Sequence, residues 1–228
     1  MGRVNGHRHR SEGLYIARNL ADNAVGLFEK RAEPTSPKRI VVVAGYFQYG
    51  IGPFRSLRNR FRQEDSIEVI PMNTYFWRDI RESAKYVAEQ VSQMDDIDAF
   101  VGHSMGGLIA SMVTQVHGIG EKIRSLICLS TPFKGTPSAY LVAFTKSGRQ
   151  MLPNENLLEE IREGRYSDRT KVLSVYGDSD WIVPPENAHH DKAHENIVLP
   201  DLGHAGILYS SDMHDIIRRE VLRNESRI

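Results

Sequence analysis

Apolar residues recur along this chain in two rhythms: short, continuous β-branched runs, and longer stretches with apolar positions every third or fourth residue. Arg39-Ile-Val-Val-Val-Ala44 is such a run, the pattern of a strand covered on both faces. Further strands are predicted at 66–70, 98–102, 123–130, 171–176 and 196–199. Helices are predicted at 53–61, starting on Pro53, then 80–94, 104–117 and 207–222. Strands alternating with helices imply parallel pairing through right-handed crossovers. The expected fold class is therefore α/β, a doubly wound, mostly parallel sheet.

Residues 1–37 read as an N-terminal appendage with one helix, and 38–228 as the main domain. Leu14, Ala17, Ala21, Val25 and Phe28 share one face of that helix, and Ser11 is placed to cap it. The expected arrangement has this face packed on the domain; a dimer arm or a membrane-surface helix is the alternative. The segment Glu33-Pro-Thr-Ser-Pro37 ends the appendage.

Composition changes this picture little. Lysine plus arginine and aspartate plus glutamate both number 29, so overall charge gives no argument for a nucleic-acid partner. The Arg/His-rich stretch from Arg3 to Arg10 reads as a solvated terminus. The one cysteine, Cys128, excludes an internal disulfide and lies in an apolar strand, where a thiol is inert. Neither a signal peptide nor an apolar run of the roughly 20 residues that cross a bilayer is visible. A cytoplasmic location is the default expectation. No cofactor or metal is called for, and oligomeric state is left open.

The chemistry concentrates in Gly102-His-Ser-Met-Gly106, set between a predicted strand and a predicted helix. A G-x-S-x-G turn there puts the serine on a sharp elbow at the carboxyl edge of the sheet, with the next N–H, that of Met105, facing the same space. Ser104 is the candidate nucleophile. A nucleophilic serine requires a base, and the base an orienting acid. His204, in Leu202-Gly-His-Ala-Gly206, is the candidate base. His103, His189, His190, His194 and His214 are read as surface or capping residues.

Gly102 to Gly107 resembles the elbow of α/β-hydrolases, particularly lipases and esterases. Leu129-Ser-Thr-Pro-Phe-Lys-Gly-Thr136 is similar to the segment beside the nucleophile in triacylglycerol-lipase-like enzymes, and Met151 to Leu158 to a short insertion in them. The resemblance runs from Arg39 to Leu222 and implies the α/β-hydrolase fold, with a small cap insertion at 133–170. It also implies the order serine, acid, histidine. Gly177-Asp-Ser-Asp-Trp-Ile-Val-Pro184 resembles the family's acid loop and selects Asp180, with Asp178 as the competitor and a turn-former. By the lipase His-Gly-x pattern, the second oxyanion N–H comes from Tyr46, or from Phe47, since Ala44 stands where those enzymes carry histidine. Tyr46, Phe47, Tyr75, Phe76 and Trp181 are the candidate substrate-binding residues, and Tyr140-Leu-Val-Ala-Phe144 is read as an apolar wall facing the acyl group, with core packing as the alternative.

The implied function is hydrolysis of carboxylic esters, small-molecule or lipid, through an acyl-enzyme on Ser104. Peripheral membrane contact is compatible with it. A thioesterase, amidase or acyltransferase would use the same triad, and a ligand receptor on the same fold would have lost part of it.

Overall fold

The computed structural model describes residues 5–26, 38–64, 67–116 and 118–223. In chain order the elements are α1 (Asn5–Gly26), β1 (Arg39–Val43), α2 (Arg55–Glu64), β2 (Glu68–Met72), α3 (Ile80–Ser92), β3 (Ala99–His103) and α4 (Met105–Thr114). They continue with β4 (Ser125–Leu129), α5 (Lys146–Gln150), α6 (Asn156–Glu163), β5 (Lys171–Gly177), α7 (Pro185–Ala188), β6 (Glu195–Leu199) and α8 (Ser211–Arg223). The six strands form one sheet in the order β2-β1-β3-β4-β5-β6, and every pairing is parallel.

Alternation along each strand divides the core in two. Val41, Val43, Phe100, Leu126, Cys128 and Val172 point to one face, where α3, α4 and α6 cover them through Val87, Leu108, Ile109 and Leu158. Ile40, Val42, Val101, Ile127, Leu173 and Val175 point to the other, under Leu57 and Phe61 of α2 and Met213, Ile217 and Val221 of α8. The central strands β1, β3, β4 and β5 are thus buried on both sides, which is why they read as continuous apolar runs, whereas edge strand β6 leaves Val198 exposed. Edge strand β2 carries Pro71, tolerated where the ladder has a free side.

The strand and helix predictions hold to within a few residues. The predicted start of the second helix at Pro53 is a single 3-10 turn, Gly52–Phe54, that feeds α2. The closing helix is broken at Ser210, between a 3-10 turn at Gly206–Tyr209 and α8. The predicted strand 66–70 lies at 68–72.

α1 departs from expectation. Its face carrying Leu14, Ala17 and Ala21 is exposed, Leu14 by 72%. The buried positions are polar instead: Glu12, Asn19 and Asn23. The reason is the surface beneath, which presents backbone N–H groups and side-chain amides of two loops and rewards acceptors over apolar carbon. Phe28, the linker 33–37 and the side chains of Ser11 and Val25 lie outside the described residues.

Parallel register sets the edge from which the site is built. Val43 pairs with Gly102, and His103 with Leu129. The loop after β1, the turn after β3, the Ser130–Thr136 segment after β4 and the loop after β5 therefore all leave the sheet at its carboxyl end. The loop after β6 joins them: Ser179 N–H donates to Leu202 O at 3.1 Å.

Candidate active site

Ser104 is the single residue between β3 and α4. Its φ of 54° and ψ of −124° mirror the extended conformation and are unfavourable for any L side chain. Neighbours hold it there: Ser104 N–H donates to Leu129 O at 2.8 Å, and Gly107 N–H to Ser104 O at 2.9 Å. The two flanking glycines are required by close approach. A Cβ on Gly102 would lie 2.5 Å from Gly106 O, and one on Gly106 would lie 2.6 Å from Ala44 O and press on Val43 O. The turn is so tight that α4 crosses directly over β1, which leaves Ser104 only 8% exposed. Met105 N–H opens α4 and belongs to the first turn, whose N–H groups have no intrahelical acceptor.

His204 and Asp180 are brought together. His204 Nδ1 and Asp180 Oδ2 are 2.8 Å apart. A carboxylate only accepts, so Nδ1 carries the proton and, in the neutral ring, Nε2 is the free base. Asp180 Oδ1 accepts from Ile182 N–H at 3.0 Å and Val183 N–H at 2.9 Å, which fixes the carboxylate independently of its partner. Burial pushes the Asp180 carboxyl up, but His204 beside it and Val183 N–H outweigh burial and hold it below the usual carboxylate range. Asp178 does something different. Its Oδ1 accepts from Ser179 Oγ–H at 2.9 Å and Asp201 N–H at 2.8 Å, a turn role on the exposed side.

Next to the elbow, His103 is buried, at 1% exposure, and not at the surface as expected. Its ring lies 4.8 Å from that of His204, and its Nε2 is 3.0 Å from His204 O. Since His103 and Ser104 are adjacent in the chain, this contact brings the His204 loop to the elbow. His103 Nδ1 faces Gln48 Oε1 at 3.0 Å, and the same oxygen accepts Gly45 N–H at 2.7 Å. Burial, reinforced by His204, pushes His103 down to about 3, so the ring is neutral and shares one proton between two acceptors. His190 and His214 are also buried, at 1% and 4%: His190 stacks on Phe133 and contacts Tyr166 Oη at 2.9 Å, and His214 Nε2 donates to Leu208 O. Cys128 is buried, and burial pushes its thiol up to about 12.

The loop after β1 faces the elbow closely enough that a Cβ on Gly45 would lie 3.0 Å from Ser104 Cβ. Gln48 ties this loop down, and no sequence motif flags it. The N–H groups of Tyr46 and Phe47 have no partner among the described residues, and Phe47 sits at φ 57°. Tyr46, Phe47, Phe76, Trp77 and Tyr75 form a chain of ring contacts with centroids 4.6–5.2 Å apart. Phe47, Tyr75, Trp77 and Trp181 are exposed. Tyr46 Oη reaches Thr145 Oγ1 at 2.8 Å, and Thr145 lines a cleft of about 350 Å³ shared with Trp77, Arg78, Phe144 and Arg149.

The segment between β4 and β5 has two characters. Phe133, Met151, Leu157, Leu158 and Ile161 belong to the core, whereas Tyr140, Leu141 and Phe144 are 68%, 81% and 75% exposed. The Tyr140–Phe144 run is therefore an exposed apolar surface and not core packing.

Comparisons with known proteins bear on the fold. The family model described as PGAP1-like alpha/beta domain matches residues 72–199. No curated protein sequence matches the chain. Among solved structures, the chain is similar to Aspergillus fumigatus lipase B (20% identity, TM-score 0.67), covering 79% of this chain and 51% of that one. It thus spans about half the length of that lipase. It is also similar to the mature Bacillus licheniformis lipase BlEst2 (14% identity, TM-score 0.69; 84% and 94% covered). A third likeness is to a Paleococcus ferrophilus monoacylglycerol lipase (15% identity, TM-score 0.63; 86% and 98% covered). At these identities the likeness carries the fold. Among the described residues no helix is long and apolar enough to cross a membrane, and no group of three or more His, Cys, Asp or Glu could hold a metal.

Proposed function

The chain belongs to the PGAP1-like α/β domain family and has the α/β-hydrolase fold, and from that premise we propose that it hydrolyses carboxylic esters through an acyl-enzyme on Ser104. The observation that carries this reading is the pairing of His204 Nδ1 with buried Asp180, 2.8 Å apart, on a loop held against the strained Ser104 elbow by His103.

In this mechanism Ser104 Oγ attacks the acyl carbonyl while His204 Nε2 takes its proton. Asp180 orients the ring and stabilises the imidazolium that forms. The N–H of Met105, with that of Tyr46 or Phe47, receives the developing oxyanion; removing one such donor typically costs about 3–4 kcal/mol of transition-state stabilisation. His204 then returns the proton to the leaving alcohol, and water, activated by the same nitrogen, releases the acid. Neither step requires a metal or cofactor.

The acyl group is apolar. The exposed Leu141 and Phe144 and the aromatic chain from Tyr46 to Trp77 offer carbon surface, beside a cleft that also carries Arg78, Glu82, Lys146 and Arg149. Turnover of p-nitrophenyl esters from acetate to palmitate tests the reading. Hydrolysis by the wild type that vanishes in Ser104→Ala is expected, with a preference for chains longer than acetate. Ester turnover retained by Ser104→Ala would contradict it.

A further inference from the structure

α1 lies across the domain with its polar face inward, and that face reaches both sides of the candidate site. At one end Glu12, only 5% exposed, accepts Ala205 N–H on Oε1 at 2.7 Å and Gly206 N–H on Oε2 at 3.3 Å. These are the two residues that follow His204. The carboxylate lies so close to the loop that a Cβ on Gly203, the residue before His204, would collide with Glu12 Oε2. Farther along the same face, Asn19 Oδ1 accepts from Gln48 Nε2 at 2.8 Å and from Asn23 Nδ2 at 3.2 Å. Asn23 Oδ1 in turn accepts Tyr49 N–H at 3.2 Å. Gln48 is the residue that holds Gly45 and faces His103.

Burying a carboxylate costs free energy unless hydrogen bonds compensate it. Glu12 has no cationic partner among the described residues; its buried partners are the two N–H groups beside His204. Anchorage of α1 does not require it. Asp22 already accepts from Tyr209 Oη–H at 2.9 Å and pairs with Arg55 at 3.6 Å, and Tyr15 stacks on Tyr209. A carboxylate supplied from 193 and 194 residues away to the two N–H groups after the histidine fixes where that histidine stands.

We propose that Glu12 is a positioning residue for His204: α1 is part of the active-site scaffold, its Glu12 holding the base loop and its Asn19 holding the loop opposite. This rests on the reading of Ser104 and His204 given above. Misplacement of a catalytic group by about 1 Å can cost on the order of a hundredfold in rate, and Ala at 12 leaves two buried N–H groups without an acceptor.

The test compares Glu12→Ala, Glu12→Gln and Leu14→Ser, the last altering the exposed face of the same helix. Two readouts are taken: kcat and KM on a p-nitrophenyl ester, and the downfield Nδ1–H proton resonance of His204, assigned by its loss in His204→Gln. Glu12→Ala is expected to lower kcat by about tenfold to a hundredfold with KM within about twofold, and to broaden the His204 resonance by exchange with water. Glu12→Gln, which keeps an acceptor for Ala205 N–H, restores most of both, and Leu14→Ser matches the wild type. If Glu12→Ala keeps wild-type kcat and a sharp resonance and loses only thermal stability, Glu12 merely fastens the helix and the proposal is overturned. Should Glu12→Ala fail to fold, Glu12→Asp, whose carboxylate is one carbon shorter, takes its place: lowered kcat with a broadened resonance supports the proposal, and wild-type kcat with a sharp resonance overturns it. The resonance also separates the two readings: a sharp signal in a wild type with no ester turnover counts against the proposed function, while its response to Glu12→Ala still decides the role of Glu12.

Discussion

Strain at Ser104 can be read directly as stability. A non-glycine residue at φ 54°, ψ −124° costs on the order of 1–3 kcal/mol. Glycine relieves that cost, because its mirror conformations are equivalent. Against this, glycine loses about 0.5–1 kcal/mol more backbone entropy on folding than alanine. Ser104→Ala keeps the strain and loses only the hydroxyl, so the difference between Ser104→Gly and Ser104→Ala isolates the backbone contribution. At an ordinary position glycine would be the less stable by about 0.5–1 kcal/mol. At this elbow the order reverses, with glycine the more stable by about 1 kcal/mol, or about 2–4 °C in Tm for a chain of this size. Scanning calorimetry of the two inactive variants side by side measures it, with guanidinium midpoints as a check that cooperativity is unchanged. A Ser104→Gly protein that melts below Ser104→Ala would refute the reasoning, since the elbow would then carry no strain to release.

Other consequences follow from the same geometry. Asp180→Asn removes the acceptor of His204 Nδ1–H and is expected to lower kcat by about 10³–10⁴-fold; Asp178→Asn, which keeps an acceptor for Asp201 N–H, should change it less than about threefold. The reverse order would mean that Asp178 is the acid. Buried His103 and His190, pushed down to about 3 and about 4, stay neutral in the folded protein while the unfolded chain takes up protons below about 6.5. Stability is therefore full above pH 6.5 and declines as pH falls towards 4, by about 2 kcal/mol per histidine at pH 5. Melting temperatures from pH 7 to pH 5 should drop steeply, and less steeply in His190→Gln; a flat profile would show that these rings ionise freely inside the fold.

Much of the fold was legible because a sheet buried on both faces leaves unbroken apolar runs such as Arg39–Ala44, and its crossover helices leave a helical period. The Ser104 elbow was legible for a local reason. Gly102 and Gly106 are needed for contacts within the turn and its adjoining strand, so they sit at fixed spacing in the sequence. Long-range placement left weaker traces. The sequence shows α1 by its apolar stripe, but the surface beneath it offers N–H groups, so Glu12 and Asn19 lie inward and Leu14 outward. No local pattern marks a carboxylate that will meet Ala205. His103 reads as a surface or capping residue in the sequence because a turn histidine has no period to place it, although its strand register with Leu129 puts it in the core. Gln48 has no motif, and its role emerges only when Gly45, His103 and Asn19 are seen around it. The Tyr140–Phe144 run reads as an apolar wall with core packing as the alternative, and Tyr140, Leu141 and Phe144 lie exposed in the structure.

The most direct test of the central claim is to treat the protein with a fluorophosphonate and map the adduct by peptide mass spectrometry. Such reagents phosphonylate a serine only where a base and an oxyanion site activate it. A single adduct on the peptide containing Ser104 is expected, abolished in Ser104→Ala and strongly slowed in His204→Gln. No labelling of Ser104 in the folded wild-type protein, or labelling of a different serine, would contradict the assignment of Ser104 as nucleophile.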